Sequence, residues 1–433
     1  MQHMDKREEI AGGVLFVTYG NGHIAKVAPV AKALEARGVR CWILALTLGY
    51  AQAQRLGLHP IGYKDLLHLV DRDKALAYGR MLWPENRHPD VDEMESCSYL
   101  GINYLEWVEA HGEEGAARMY AKGGRRSFLP VRFLGKVIDH LQPSVVVSTS
   151  SPRSEQAAIE AAVQRGVPTL TMLDVFAMPH DTYLHHDVYA DRITAPSTLA
   201  GQQLINAGVE ASRVLVTGCP AYDRMRDPAD VAEGKAIRRR LGWDGLSVLL
   251  WAGTMEQDSF GVPPEYFGTG LGVMVEQRLR EWVRTRPGVA LIVRYHPTQY
   301  NVFPDLGRQD RVYLSNPTAD RLYPQLHASD TVLVQTSTVG FEAALMGKRV
   351  LNLAFSPRVI NTEYDYSRLG VAEAVRSMEE LTEVLDRPRA DLQDQGGFPP
   401  AGPATPRVVA EIMRLMTSRD GGPQGQRQSE MQR

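Results

Sequence analysis

Four short stretches of this chain place acid–base or anion-binding side chains directly behind apolar, strand-like runs. The first is Thr331-Val332-Leu333-Val334-Gln335, followed by Thr336-Ser337-Thr338-Val339-Gly340-Phe341-Glu342 and then by Gly347 and the run Val350-Leu351-Asn352-Leu353. A strand, a hydroxyl-rich turn, a short helix, a Gly stop and another strand make a βαβ unit. Backbone N–H groups from Ser337 through Thr338, Val339 and Gly340 would then sit at a helix N-terminus, where donors and the helix dipole favour an anion such as a diphosphate. Glu342, one turn further on, is placed to reach a pair of sugar hydroxyls. The second stretch, Arg294-Tyr295-His296-Pro297, ends the run Ala290-Leu291-Ile292-Val293. Arg294 can grip a phosphate through two parallel hydrogen bonds and His296 can donate one more.

The third stretch is Gly20-Asn21-Gly22-His23, behind Val14-Leu15-Phe16-Val17-Thr18. Gly20 and Gly22 would allow close backbone approach to a ligand, and His23 could take a proton from a hydroxyl near neutral pH. The G-x-G-x-x-A spacing imitates a dinucleotide fingerprint, but the second strand ends Leu46-Thr47-Leu48-Gly49 without the carboxylate that would hold a ribose, which argues against NAD. In the fourth stretch Asp174 ends Thr169-Leu170-Thr171-Met172-Leu173, placed to orient an acceptor or to support His23. Two weaker candidates are Gly253-Thr254, with Glu256 and Asp258 behind it, facing phosphates, and Ser151-Pro152-Arg153-Ser154-Glu155, facing an acceptor. His180, His185, His186 and Asp187 lack convincing metal-ligand spacing, so no obligatory metal and no cofactor are expected.

These stretches need a scaffold that brings strand ends to one edge. Apolar runs alternate with helical patterns from Val14 to Thr217, and again from Val248 to Leu353. That alternation implies an α/β protein with two doubly wound parallel sheets, binding ligands at the carboxyl ends of the strands and in the cleft between domains. The pattern assigns 12–221 to a first domain, with an irregular and mostly helical insertion over 60–130. It assigns 222–387 to a second domain, with a charged connection through Arg240, 388–417 to a linker and terminal helix, and 418–433 to a disordered tail. A length of 433 residues suits two domains of about 200 each. A net charge of −3 argues against nucleic acid as the main partner. Cys41, Cys97 and Cys219 stand far apart and read as reduced thiols. A polar N-terminus and the lack of any run of ~20 apolar residues point to a cytoplasmic protein, with peripheral membrane contact left open.

The Ser-Thr-Val-Gly-Phe-Glu-Ala wording resembles the nucleotide-sugar signature in the second domain of GT-B-fold glycosyltransferases, above all capsule-polysaccharide and sialic-acid-type enzymes. The His296-Pro297 pair is similar to the "His-Pro" element of bacterial sialyltransferases and capsule Kdo transferases. The run Glu342–Leu351, the helix Ala25–Glu35 and Val216-Thr217-Gly218-Cys219-Pro220-Ala221-Tyr222-Asp223 resemble UDP-N-acetylglucosamine 2-epimerases, although their "His-Arg-Arg-Glu-Asn" run has no counterpart. The resemblance implies GT-B architecture and a UDP- or CMP-linked sugar donor. Its phosphates would lie on Ser337–Gly340, Arg294, His296, Gly253 and Thr254, and its ribose on Glu342. His23 and Asp174 would serve a glycan, lipid-linked or small-molecule acceptor, which makes the first expectation a metal-independent glycosyltransferase. A UDP-N-acetylglucosamine 2-epimerase and a non-catalytic nucleotide-sugar-binding protein are the alternatives.

Overall fold

The computed structural model describes residues 12–417 except 21, 47, 89, 175–176, 178–180, 259–261, 363 and 393–396, so the expected tail at 418–433 lies outside it. Within it the apolar runs form thirteen strands in two sheets. The first sheet holds β1 (Gly13–Thr18), β2 (Arg40–Ala45), β3 (Pro60–Ile61), β4 (Val145–Thr149), β5 (Thr169–Met172), β6 (Arg192–Ala195) and β7 (Val214–Val216), in the order β3-β2-β1-β4-β5-β6-β7. The second holds β8 (Ser247–Gly253), β9 (Val289–Tyr295), β10 (Val312–Leu314), β11 (Thr331–Val334), β12 (Arg349–Leu353) and β13 (Glu373–Val375), in the order β10-β9-β8-β11-β12-β13. Neighbouring strands are parallel throughout.

Parallel sheets must be covered on both faces, and β1 shows how the sequence achieves it. Successive side chains alternate, so Val14 and Phe16 join one core and Leu15 and Val17 the other. The first core includes the helix Gly22–Glu35 and the terminal helix Thr405–Thr417, whose Val408, Val409, Ile412, Leu415 and Met416 are buried. The second is closed by the 60–141 region, where Tyr63, Tyr99, Phe128 and Phe133 pack together. That region is helical, with segments Arg72–Leu82, Glu93–Gly123, which breaks at Gly112 (φ 70°), and Val131–Leu141.

The chain divides into two units, one of residues up to Asp223 together with those from Pro399 onward, the other Arg224–Phe398. The terminal helix therefore returns to the first unit. Asp223 secures the return by accepting hydrogen bonds from the backbone N–H groups of Ala404 and Thr405, each at 2.7 Å. The charged segment expected as a connection is instead a helix, Pro228–Leu241, in the second unit. Asp227 caps it, Pro228 supplies a preset φ at its first position, and Gly242 ends it at φ +67°. The three cysteines are thiols outside any disulfide; Cys97 and Cys219 are buried and Cys41 is half-buried.

Candidate functional site

In doubly wound sheets ligands bind where the strand order reverses, outside the carboxyl ends of the two strands flanking the switch. In the first unit those strands are β1 and β4. The turn after β1 carries Tyr19, Gly20 and the start of the helix with Gly22 and His23; the turn after β4 carries Ser150 to Arg153 and leads into the helix Ser154–Gln164 with Glu155. Asp174 follows β5 next door and is held by its own N–H, which donates to Ser150 Oγ at 3.0 Å. A Cβ at Gly20 would meet the Gly49 nitrogen at 3.0 Å, so that glycine permits close packing of two turns. A Cβ at Gly22 would meet nothing.

The residue that organises this edge is Lys26, which the sequence reading did not single out. Although nearly fully buried, it forms an ion pair with Asp174 Oδ1. Burial works against its charge, but Asp174, with Cys219 and Asp181 further off, outweighs that and holds Lys26 above the ordinary lysine range. His23 Nε2 lies 4.0 Å from Asp174 Oδ2, on the carboxylate oxygen that Lys26 does not take. Burial and the Lys26 cation drive the imidazole down to about 4 against the pull of Asp174, so it is neutral at physiological pH. Glu155 is fully buried beneath the same edge, and neither of its oxygens has a hydrogen-bond partner of good geometry. Burial raises it to about 7, offset partly by nearby N–H groups, Ser151 and the Arg153 cation. Arg153 in turn lies 5.2 Å over the Tyr19 ring. The edge thus gathers a neutral imidazole, a locked carboxylate and a second carboxyl near half-ionisation.

In the second unit the switch falls between β8 and β11. Here Glu256 ties three turns together: it accepts from Gln335 Nε2 behind β11, from Ser356 Oγ at 2.5 Å and from the Arg358 N–H at 2.9 Å behind β12. Thr254 joins the network through its N–H to Gln335 Oε1 at 2.9 Å and its hydroxyl to Gln299 Oε1 at 2.8 Å. Gly253 is needed for packing, since a Cβ there would meet the Trp251 ring at 2.8 Å. Arg358 reaches back to Thr336 Oγ1 and to the Met255 carbonyl, which fixes a cation at this edge.

His296 is exposed beside it, and the Thr298 N–H donates to its Nδ1 at 3.3 Å. A nitrogen that accepts cannot carry the proton, so the neutral ring bears its hydrogen on Nε2. Desolvation and the Arg358 cation hold it below the ordinary histidine value. Arg294 is engaged differently: its Nη1 donates to Ser315 Oγ, the Asp320 carbonyl and Gln325 Oε1, and its Nη2 to the Pro317 carbonyl. Those bonds make it the strut of the 315–320 loop.

The helix Thr338–Leu345 begins at the Ser337 cap, and Gly347 ends it at φ +76°. Two of the expected free donors have internal acceptors: the Val339 N–H donates to Ser337 Oγ at 3.3 Å and the Gly340 N–H to the Ser337 carbonyl at 3.0 Å. Gly340 is required by packing, because a Cβ would lie 2.6 Å from Val334 Cγ2. Burial raises Glu342 to about 7 against hydrogen bonds from Tyr323 and Thr338 and the cation of Arg224. Arg224 stacks 5.2 Å over Tyr323, and both line an open hollow with residues 317–322. Among the described residues no group of three or more His, Cys, Asp or Glu is arranged to hold a metal; His180 lies outside them. No described helix is long and apolar enough to cross a membrane.

No protein-family model matches this chain, and no curated protein matches it significantly. Solved structures do. Staphylococcus aureus MnaA, determined with UDP, is 16% identical over 95% of this chain and 99% of its own, with a TM-score of 0.59. The UDP-GlcNAc 2-epimerase of Neisseria meningitidis, bound to UDP-GlcNAc, is 16% identical over 93% and 100%, with a TM-score of 0.58. That of Methanocaldococcus jannaschii is 14% identical over 93% and 99%, at 0.56. At such identity the likeness establishes the fold, two Rossmann-like domains of GT-B type.

Proposed function

We propose that the protein acts on a UDP-linked N-acetylhexosamine and inverts it at C2. The Neisseria and Methanocaldococcus proteins of similar fold are named UDP-GlcNAc 2-epimerases, and the first unit's edge supports that chemistry. Inversion needs one group to take the C2 proton and another to return a proton on the opposite face, with no acceptor molecule. His23, neutral and 4.0 Å from Asp174, and Glu155, raised to about 7, supply proton-transfer capacity around one switch point. The C2 proton becomes removable as the bond from C1 to the diphosphate oxygen breaks and its electron pair leaves with UDP, forming a C1–C2 double bond; the inversion is completed when a proton returns to C2 on the opposite face and the same UDP oxygen re-forms its bond to C1. Within the second unit, the Nε2–H of His296 and the Arg358 cation are suited to the charge of a diphosphate. Glu342 is assigned the ribose.

Sugar transfer is the second reading, favoured by the Ser337–Glu342 and His296-Pro297 wording. In that case His23 takes a proton from an acceptor hydroxyl, and His23→Ala lowers turnover by roughly 10²–10⁴-fold while sparing donor affinity. One experiment separates the two. The protein is given UDP-N-acetylglucosamine alone in D₂O, and C2 is followed by NMR. Epimerisation places deuterium at C2 without any acceptor; no exchange, with sugar passed to an added glycan, overturns it in favour of transfer.

A further inference from the structure

One buried carboxylate of the second unit lies outside the groups named above. Asp230 is fully buried, yet it is charged and stands in the first turn of the helix Pro228–Leu241. The helix N-terminus favours a negative charge there, and two guanidinium groups meet it. Arg321 pairs with Asp230 Oδ1, and Arg224 Nη2 lies 3.9 Å from Oδ2. All three residues, with Tyr323 and Glu342, belong to the second unit.

We infer that Asp230 is a positioning residue for the nucleotide site: it holds Arg224 over Tyr323, so that a cation stands beside the Glu342 carboxyl. Three observations carry this. First, Asp230 is fixed in place. Gly234, one turn on in its helix, packs so closely on the helix Leu322–Ala328 that a Cβ would meet the Pro324 carbonyl at 2.8 Å and His327 Cβ at 2.6 Å. Second, Arg224 needs an anchor. Its side chain is 56% exposed, and stacking 5.2 Å over the Tyr323 ring is a weak hold for a solvated cation. A carboxylate buried in low dielectric attracts it more strongly and is less screened by salt. Arg321 has a second partner in Glu233 at 3.3 Å, which leaves the other Asp230 oxygen to Arg224. Third, Tyr323 connects the pair to the site, since its ring carries Arg224 and its hydroxyl hydrogen-bonds Glu342.

The groups facing Glu342 are the hydroxyls of Tyr323, Thr338 and Tyr366 and the Arg224 cation. Burial favours the neutral acid, the Tyr323 and Thr338 hydrogen bonds and Arg224 favour the carboxylate, and the balance falls at about 7. Arg224 is the charged member of that set, and a swing of its side chain into solvent would remove it.

The test titrates the ¹³C-labelled Glu342 carboxyl carbon by NMR in the full chain without nucleotide, assigned by its loss in Glu342→Gln. Arg224→Gln and Asp230→Asn should each raise its midpoint by at least about half a pH unit, and the double variant no further than the larger single shift. The sign discriminates. Deleting a negative charge would by itself lower the midpoint, so a rise in Asp230→Asn requires displacement of Arg224. An unchanged or lowered midpoint in either single variant, or additive shifts in the double one, overturns the inference. The wild type supplies a check that needs no Asp230 variant to fold: the Arg224 guanidinium should show hindered rotation by ¹⁵N NMR, and free rotation overturns its anchoring. The inference rests on the proposed UDP reading only for what Glu342 holds. A half-unit rise from about 7 roughly halves the ionised fraction at pH 7, so calorimetric UDP affinity should fall about twofold or more in both variants. If the midpoints move while UDP affinity does not follow, or UDP does not bind, the ribose assignment of Glu342 falls and the role of Asp230 stands.

Discussion

Replacing Lys26 with Met tests whether the first unit's edge is tuned as its geometry implies. In the wild type His23 sits at about 4, below the ordinary 6.5, because burial and the Lys26 cation outweigh Asp174. His23 is only 21% exposed and Asp174 is 42% exposed. The gap between 6.5 and about 4 corresponds to on the order of 3 kcal/mol. The sign depends on which state binds the proton first. The unfolded chain protonates His23 near 6.5 and the folded one only near 4, so this stability is present above 6.5 and is lost as pH falls through that window. Removing the lysine leaves Asp174 facing His23 at 4.0 Å without the competing cation. At an effective dielectric of ~20 that attraction is about 4 kcal/mol at most, and the exposure of Asp174 reduces it. His23 in Lys26→Met should therefore titrate roughly one to two pH units higher than in the wild type. NMR of the His23 ring proton over pH 3–8 measures both values. A wild-type midpoint above 6 refutes the account of a neutral His23, and a variant midpoint that does not move refutes the share assigned to Lys26 beside burial.

Glu342→Ala should weaken UDP binding by about 1.5–3 kcal/mol with the fold intact, as the loss of a charge-assisted hydrogen bond requires; unchanged calorimetric affinity removes Glu342 from the site. Because its carboxyl sits at about 7, wild-type affinity should rise between pH 6 and 8 more steeply than that of Glu342→Gln, and parallel profiles would count against the ionised form as the ligand. Gly340→Ala forces a Cβ to 2.6 Å from Val334 and should cost about 1–3 kcal/mol in chemical denaturation, whether or not nucleotide binds. UDP binding is expected to survive EDTA, and a strict need for added Mg²⁺ or Mn²⁺ in the same calorimeter would oppose the assignment of phosphate contacts to His296 and Arg358.

Strand ends are legible because parallel strands buried on both faces read as apolar runs, and the residues directly behind such a run emerge at the carboxyl edge. That logic locates Asp174 and His296 behind strand ends, and His23 and Glu342 in the helices that follow, although it cannot tell Arg294, drawn into the 315–320 loop, from an outward-facing guanidinium. Lys26 does leave a signal in the sequence: it stands four residues before Val30 on the buried stripe of its helix, a position a lysine occupies only with a partner. Glu256 leaves less, since its partners Ser356 and Arg358 lie about a hundred residues away. The helix Pro228–Leu241 reads as a connection because its charges mask its pattern, while its small buried face rests on Gly234, where a Cβ would meet the Pro324 carbonyl at 2.8 Å. The terminal helix announces its apolar stripe, but nothing in that stripe says which sheet it covers.

The return of that helix governs how the chain matures during synthesis. The first unit has its seven strands once β7 leaves the ribosome, yet the core that the helix Gly22–Glu35 covers on one face of its sheet stays incomplete until Val408 to Met416 arrive. Close to 200 residues must be made in between, which at ~5–20 residues per second takes on the order of 10 to 40 s. For that interval an apolar surface meant for Val408, Val409 and Ile412 is open to other nascent chains. Chains cut short before Pro399 would never close it, so truncation at the C-terminal side is expected to yield aggregation of the first unit rather than a clean loss of the second.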